Sequence, residues 1–163
     1  MKIEFIIIIG IVIVIGIIFL ISKMSGNQKP KVQVARQIKL DQLESIMEHL
    51  KNKELEYDFF GITSKGTDCI YFADNNGKIN IEYEVMANEQ KPYVDKIKDF
   101  AKSNGFQIVK TTYGNKPQYE DLKEAPVYKL DINADLKTAS DIGKQIMTEI
   151  FGNDMSTNFD IVP

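Results

Sequence analysis

The strongest constraint on this chain is an unbroken apolar run near its start, Phe5–Ile21. The run consists mainly of Ile and Val and contains neither a charged residue nor a proline. As a helix rising about 1.5 Å per residue, it would span roughly 25 Å, close to the hydrocarbon thickness of a bilayer. Lipid requires each backbone polar group to be paired within its own segment, which favours a helix over a strand. We therefore expect a transmembrane helix over residues 3–22 that contacts the lipid bilayer through Phe5–Ile21.

A cleaved signal peptide is the alternative for this segment. Its apolar core is usually about 7–15 residues long and ends at a small-x-small site. This run is longer, and Ser22–Gly26 contains no two small residues separated by one position. The pattern therefore favours a retained signal-anchor, followed by a polar linker over residues 23–31 and a soluble domain over residues 32–163.

The positive charges flanking the apolar run indicate its orientation. Only Lys2 and the amino terminus precede the run, whereas five basic residues follow it: Lys23, Lys29, Lys31, Arg36 and Lys39. The positive-inside rule then favours a single-pass protein with a cytoplasmic C-terminal domain. The opposite orientation stays open, because the difference between the flanks is modest.

Composition narrows the classes of partner. The formal net charge is −3 and both signs are interspersed, whereas a nucleic-acid partner usually requires a basic stripe. We expect no nucleic-acid partner. Cys69 is the only cysteine, so the chain cannot form an intrachain disulfide.

Hydrophobic periodicity predicts the first half of the domain. Apolar residues at helical spacing predict a helix over Asp41–Lys53, with Asp41 and Glu44 as its capping box. A three-stranded meander follows, comprising Leu55–Phe59, Cys69–Ala73 and Ile79–Val85. The sequence Asp74-Asn75-Asn76-Gly77 favours a tight type I′ hairpin between the last two strands.

The second half continues with two helices and two strands. We expect a helix over Pro92–Asn104, strands over Phe106–Tyr113 and Val127–Asn133, and a helix over Leu136–Phe151. Phe159–Val162 could add a short edge strand. The predicted class is α+β: a two-layer sandwich with an antiparallel sheet and the order α-β-β-β-α-β-β-α.

This order of elements resembles that of type III secretion chaperones and of the chaperone-like families that share their fold. The resemblance covers roughly Asp41 to Phe151 and involves topology alone, since no sequence motif takes part. It implies a module that holds a partner polypeptide and forms a homodimer. The apolar N-terminal run departs from those chaperones, which are typically soluble and unanchored.

The residues usually found at catalytic, cofactor and metal sites are scarce. The chain has no phosphate-binding, dinucleotide-binding or zinc-protease motif. Cys69 begins the most apolar strand, where burial makes a thiol inert. His49 is the only histidine, and we expect it at a boundary or solvent position. We therefore predict no enzyme and no catalytic, cofactor or metal site.

Acidic residues leave one alternative open. Glu82 and Glu84 share one face of a strand, and Asp68 and Asp74 bracket the neighbouring strand. Two carboxyl groups with separated pKa values can act as acid and base. A solvated sheet face needs the same residues for solubility and edge protection, which is the interpretation favoured here.

Three residues are the candidate partner-binding residues: Tyr113, Tyr119 and Leu122. Tyr113 ends a predicted strand, and Tyr119 and Leu122 lie in the longest predicted loop, Gly114–Pro126, which follows it. Tyrosine is favoured at recognition surfaces because it combines a large apolar ring with a polar tip. Folding of these side chains back onto the domain is the alternative.

The expected function is that of a membrane-anchored, chaperone-like or adaptor module that binds a polypeptide without catalysis. Two alternatives remain: a structural or assembly component of the cell envelope, and a carboxylate-dependent enzyme.

Overall fold

One antiparallel sheet organises residues 31–112 and 125–163, which are the residues that this computed structural model describes. Its strands, in chain order, are β1 Gln37–Ile38, β2 Phe59–Thr63, β3 Ile70–Asn75, β4 Lys78–Glu84, β5 Gln107–Thr112, β6 Pro126–Ala134 and β7 Phe159–Val162. Across the sheet the order is β1-β7-β2-β3-β4-β6-β5. Within the described residues, β1 and β5 are thus the edge strands.

Three α-helices accompany the sheet in this part of the chain: α1 Leu43–Lys51, α2 Lys91–Ser103 and α3 Leu136–Gln145. A π-helical turn, Ile146–Ile150, continues α3, and Gly152 follows with a φ of 70°. No helix in the two described ranges is long and apolar enough to cross a bilayer. The predicted transmembrane helix, 3–22, lies outside those ranges.

The helices contact one face of the sheet. Phe72 and Tyr83 are fully buried on this face. A Cβ added to Gly143 in α3 would lie 2.6 Å from Phe72 Cζ, so the helix backbone packs directly on that ring. The Tyr83 hydroxyl donates to the Gln90 carbonyl oxygen at 3.0 Å, just before α2. The core therefore lies between this face and the helices.

The α+β class and the antiparallel sheet are confirmed. The hairpin at Asp74–Gly77 is also confirmed, because Asn76 and Gly77 both have positive φ, 56° and 84°, as a type I′ turn requires. The Asp74 side chain supports the turn by accepting a hydrogen bond from the Gly77 N–H at 2.7 Å. Short-range turn chemistry was therefore sufficient here.

Two boundaries were wrong. A 3-10 turn, Leu40–Gln42, precedes α1, and the Gln42 side chain accepts from the Lys39 N–H at 3.0 Å, so Asp41 and Glu44 form no capping box. The first meander strand starts at Phe59 and runs through Gly61 to Thr63. Glycine disfavours strands, which hid this continuation.

The C-terminal strand exists but is not an edge strand. β7 pairs with β1 through Phe159 and Ile38, and with β2 through Ile161 and Ile62. The predicted five-strand order also lacked β1, which is too short for a periodicity signal. The number and order of strands therefore required tertiary information.

Candidate functional site on the open face of the sheet

The sheet face opposite the helices, here called the open face, carries the candidate site. No helix in the described residues lies across it. Side chains alternate between the two faces along a strand. The core side of these strands carries Phe60, Phe72, Ile81 and Tyr83. The neighbouring residues therefore lie on the open face: Phe59, Tyr71, Glu82 and Glu84. This face combines aromatic rings with carboxylates.

An aromatic row crosses the β2–β3 side of the open face. The Tyr57 and Phe59 ring centroids are 5.5 Å apart, and those of Phe59 and Tyr71 are 6.2 Å apart. Such separations are typical of favourable ring pairs. Tyr57 is 47% exposed, so the row extends from a half-buried interior to solvent.

Gly61 allows the Tyr71 ring to lie against the sheet. A Cβ at this position would come within 2.8 Å of Tyr71 Cε1 and 2.7 Å of Val162 Cγ2. Real Cβ atoms essentially never approach so closely. The glycine that obscured β2 in the sequence is therefore the residue that makes room for the aromatic row.

A shallow depression of about 240 Å³ lies beside this row. Its lining consists of Phe59, Tyr71, Glu82, Glu84, Thr111, Thr112 and Val127. Pockets that bind small molecules usually occupy about 300–1,000 Å³. The depression is thus better suited to receiving one side chain of a macromolecular partner than to enclosing a substrate.

Glu84 has an unusual electrostatic environment. Burial, with the nearby Glu82 carboxylate as the smaller cause, raises the pKa of Glu84 to about 7. Within the described residues Glu84 makes no hydrogen bond or ion pair, whereas Glu82 faces Lys129, whose Nζ is 3.9 Å from Glu82 Oε1. Glu84 is therefore a half-buried carboxyl group whose charge is not compensated, a feature that is common at functional sites.

The favoured interpretation of this face as merely solvated was incomplete. The residue types alternate as expected, yet Glu82 is only 26% exposed and Glu84 is half-buried. Both carboxylates line the depression together with Phe59 and Tyr71. The sequence places Phe59 on a half-buried strand and Tyr71 on a strand that is apolar on both faces. The alternation of Tyr57 and Phe59 with acidic residues, which leads into the strand that contains Gly61, was the available signal.

Tyr113, Tyr119 and Leu122 lie outside the described residues. The segment that holds them joins Thr112 to Ala125. Thr112 pairs with Pro126, and Thr111 pairs with Val127, which also pairs with Glu84. The described ends of this connection are thus next to the depression on the open face.

The remaining polar candidates have structural partners. Burial alone would raise the pKa of Asp68, but hydrogen bonds from Ser64, Lys65, Thr63 and Asn153 outweigh it and lower the pKa to about 2. Asn153 Nδ2 donates to Asp68 Oδ2 at 2.7 Å, which ties the β2–β3 turn to the segment after α3. Asp68 is therefore a structural carboxylate.

Cys69 and His49 lie where the sequence suggested. Cys69 is 8% exposed, and burial raises its thiol pKa to about 12. His49 is at the boundary, with Nδ1 2.7 Å from Glu54 Oε2 and a side chain that is 33% exposed. In residues 31–112 and 125–163, no group of three or more His, Cys, Asp or Glu residues could hold a metal ion.

No family model, curated protein or solved structure matches this chain. The resemblance to type III secretion chaperones therefore stays a prediction.

Proposed function

We propose that this chain is a single-pass membrane protein whose α+β domain binds another polypeptide through the open face and performs no catalysis. One observation carries the proposal: the aromatic row Tyr57–Phe59–Tyr71 lies beside the half-buried Glu84 on a sheet face without a described helix. Aromatic side chains provide most of the energy at many protein interfaces. A polar rim around them is usual as well.

The shape of the face supports a polypeptide over a small substrate. A shallow depression can accept one anchoring side chain, while the surrounding rings provide flat contact area. The same carboxylates support the alternative of a carboxylate-dependent enzyme less well, because a volume of about 240 Å³ leaves little room for a substrate.

Membrane attachment and the cytoplasmic orientation belong to the same proposal. They depend on the apolar run Phe5–Ile21 and on the basic residues that follow it. An anchor raises the effective concentration of the domain near membrane-associated partners, so that a weak binder can still engage them.

The test is affinity purification of the full chain from detergent-solubilised membranes, with wild type compared with Tyr57→Ser. Met155→Ser is the matched control, because Met155 is also apolar and 48% exposed. We expect a defined polypeptide to accompany wild type and Met155→Ser and to be lost with Tyr57→Ser. Equal recovery with all three proteins would contradict binding through the open face. A partner of the chain's own mass would favour the envelope-assembly alternative.

A further inference from the structure

A second surface lies on the helix side of the sheet, at its β5 edge. It is a groove of about 540 Å³ between α2 and the β5–β6 pair. The residues that line it are Lys98, Lys102, Phe106, Ile108, Lys110 and Tyr128. The groove thus has an apolar floor and three lysines, and its lining contains no carboxylate.

The groove lysines have little compensation. Lys98 Nζ is 3.4 Å from Asp95 Oδ1, but both side chains are largely exposed, so the pair contributes little. Lys98 Nζ also lies 5.3 Å from the centroid of the Tyr128 ring. Lys102 and Lys110 make no hydrogen bond or ion pair within the described residues. An anionic occupant would relieve the mutual repulsion of these lysines.

The helix and the strand bring these charges together for simple geometric reasons. Lys98 and Lys102 are four residues apart on α2 and share one helix face. Lys110 lies opposite Tyr128 in the β5–β6 register, so its side chain is on the groove side of the sheet. The interspersed charges of the sequence concealed this local cluster.

The backbone of β5 adds a second recognition element. β5 is at the end of the strand order and pairs with β6 alone in the described part of the chain. Five of its six residues are exposed. In an antiparallel pair, alternate residues direct their N–H and C=O groups away from the neighbour, where an added strand can bind them.

We propose that β5 and this lysine groove bind an extended acidic segment of a polypeptide, which adds to the sheet as a further strand. The added backbone pairs with β5, and its carboxylates contact Lys98, Lys102 and Lys110. This inference goes beyond the proposed function, since the groove is a second binding surface that shares no lining residue with the depression on the open face.

Charge complementarity argues against a second copy of this chain as the occupant. Antiparallel pairing of two β5 edges would bring together strands that each carry Lys110 and no carboxylate. Like charges directly opposite each other destabilise a strand pair. The lysine therefore disfavours self-pairing while it favours an acidic strand, which gives specificity.

The test uses a fluorescein-labelled octapeptide that alternates glutamate and valine, and full-length protein in non-ionic detergent. Fluorescence anisotropy should show saturable binding. Lys102→Glu combined with Lys110→Glu should weaken the affinity at least about tenfold, because two charge-assisted contacts are lost. The control, Lys51→Glu with Lys91→Glu, changes the net charge equally at exposed positions outside the groove lining and should change the affinity by less than about twofold.

Two N-methylated peptides distinguish strand addition from simple charge attraction. In an added strand only alternate N–H groups donate to β5. One peptide is methylated on its valine nitrogens and the other on its glutamate nitrogens. Only the peptide whose methylated nitrogens face β5 should therefore bind at least about tenfold more weakly than the parent. Equal binding of both methylated peptides and the parent would overturn the proposal, as would equal weakening by the two double variants.

The same assay separates this inference from the open-face proposal. Tyr57→Ser should bind the acidic peptide as wild type does, since Tyr57 lies outside the groove. If the acidic peptide binds but no partner is recovered in the purification experiment, binding through the open face is refuted and binding in the groove is supported. Recovery of a Tyr57-dependent partner without peptide binding would refute the groove alone.

Discussion

Glu84→Gln should stabilise the protein at neutral and alkaline pH. Its folded-state pKa is about 7, against 4.5 for an ordinary glutamate. Each unit of difference corresponds to about 1.4 kcal/mol, so the full shift would correspond to about 3 kcal/mol. Glu84 is half-buried, and solvent screening reduces the expected gain to about 1–2 kcal/mol.

The direction of the pH dependence follows from proton binding. Between pH 4.5 and pH 7 the folded protein retains a proton on Glu84 that the unfolded chain has released. The free energy of unfolding of the wild type should therefore fall as pH rises through this range. The variant lacks this group, so the two proteins should differ little near pH 4 and most near pH 8.

The measurement is urea unfolding of the full chain in non-ionic detergent, followed by circular dichroism at both pH values. Glu48→Gln is the control, because it removes one carboxylate from an exposed position on α1. Exposed substitutions usually change stability by less than about 0.5 kcal/mol. A Glu84→Gln gain that is absent at pH 8, or equal at both pH values, would refute the electrostatic description of the open face.

Four further predictions concern the rest of the chain. Asp68→Asn should lower the free energy of unfolding at pH 7 by about 2 kcal/mol, as measured by urea unfolding. Because the folded pKa of Asp68 is about 2, the wild type loses this stabilisation as pH falls from about 4 to 2. The variant should lack that decline. Gly143→Ala should lower thermal stability by about 1–3 kcal/mol despite its better helix propensity, since the new methyl meets Phe72. Cys69 should resist iodoacetamide at pH 8 in the folded protein and react after unfolding, as its thiol pKa of about 12 requires. The full chain should stay in the membrane pellet after alkaline carbonate extraction, and protease should reach its C-terminal domain only after the cells are permeabilised.

A destabilising carboxylate on the open face is consistent with a binding role. Natural proteins commonly give up stability where a surface serves function. Glu84 makes no compensating pair within the described residues, whereas the buried Asp68 receives hydrogen bonds from four residues. The two carboxyl groups thus differ in how far their negative charge is compensated. This difference supports a recognition role for the open face and a structural role for Asp68.

Local sequence patterns were enough to predict much of the fold. The Asn76-Gly77 turn, the alternation of buried and partly exposed residues over Ile81–Glu84 in β4, and Pro92 in the first turn of α2 each depend on neighbours in sequence. Asp135 likewise caps α3 by accepting from the Thr138 N–H at 2.8 Å. These elements could be predicted because their stabilising contacts are short-range.

The remaining features depend on contacts between distant residues. β7 lies between β1 and β2, a placement that periodicity cannot reveal. Gly61 belongs to a strand only because the Tyr71 ring and Val162 pack against it. The lysine groove joins α2 to β5, so the spacing of Lys98 and Lys102 alone gave an incomplete signal. The candidate surfaces were therefore missed although most of their residues had been assigned to the right elements.

Polypeptide binding through the open face can be tested by photocrosslinking in living cells, with p-benzoylphenylalanine introduced in place of Tyr57 and, separately, in place of Met155. Both positions are about half exposed, but only Tyr57 belongs to the aromatic row. We expect one dominant crosslinked polypeptide from the Tyr57 position and none from the Met155 position. No crosslink at Tyr57, or the same products from both positions, would contradict polypeptide binding through the open face.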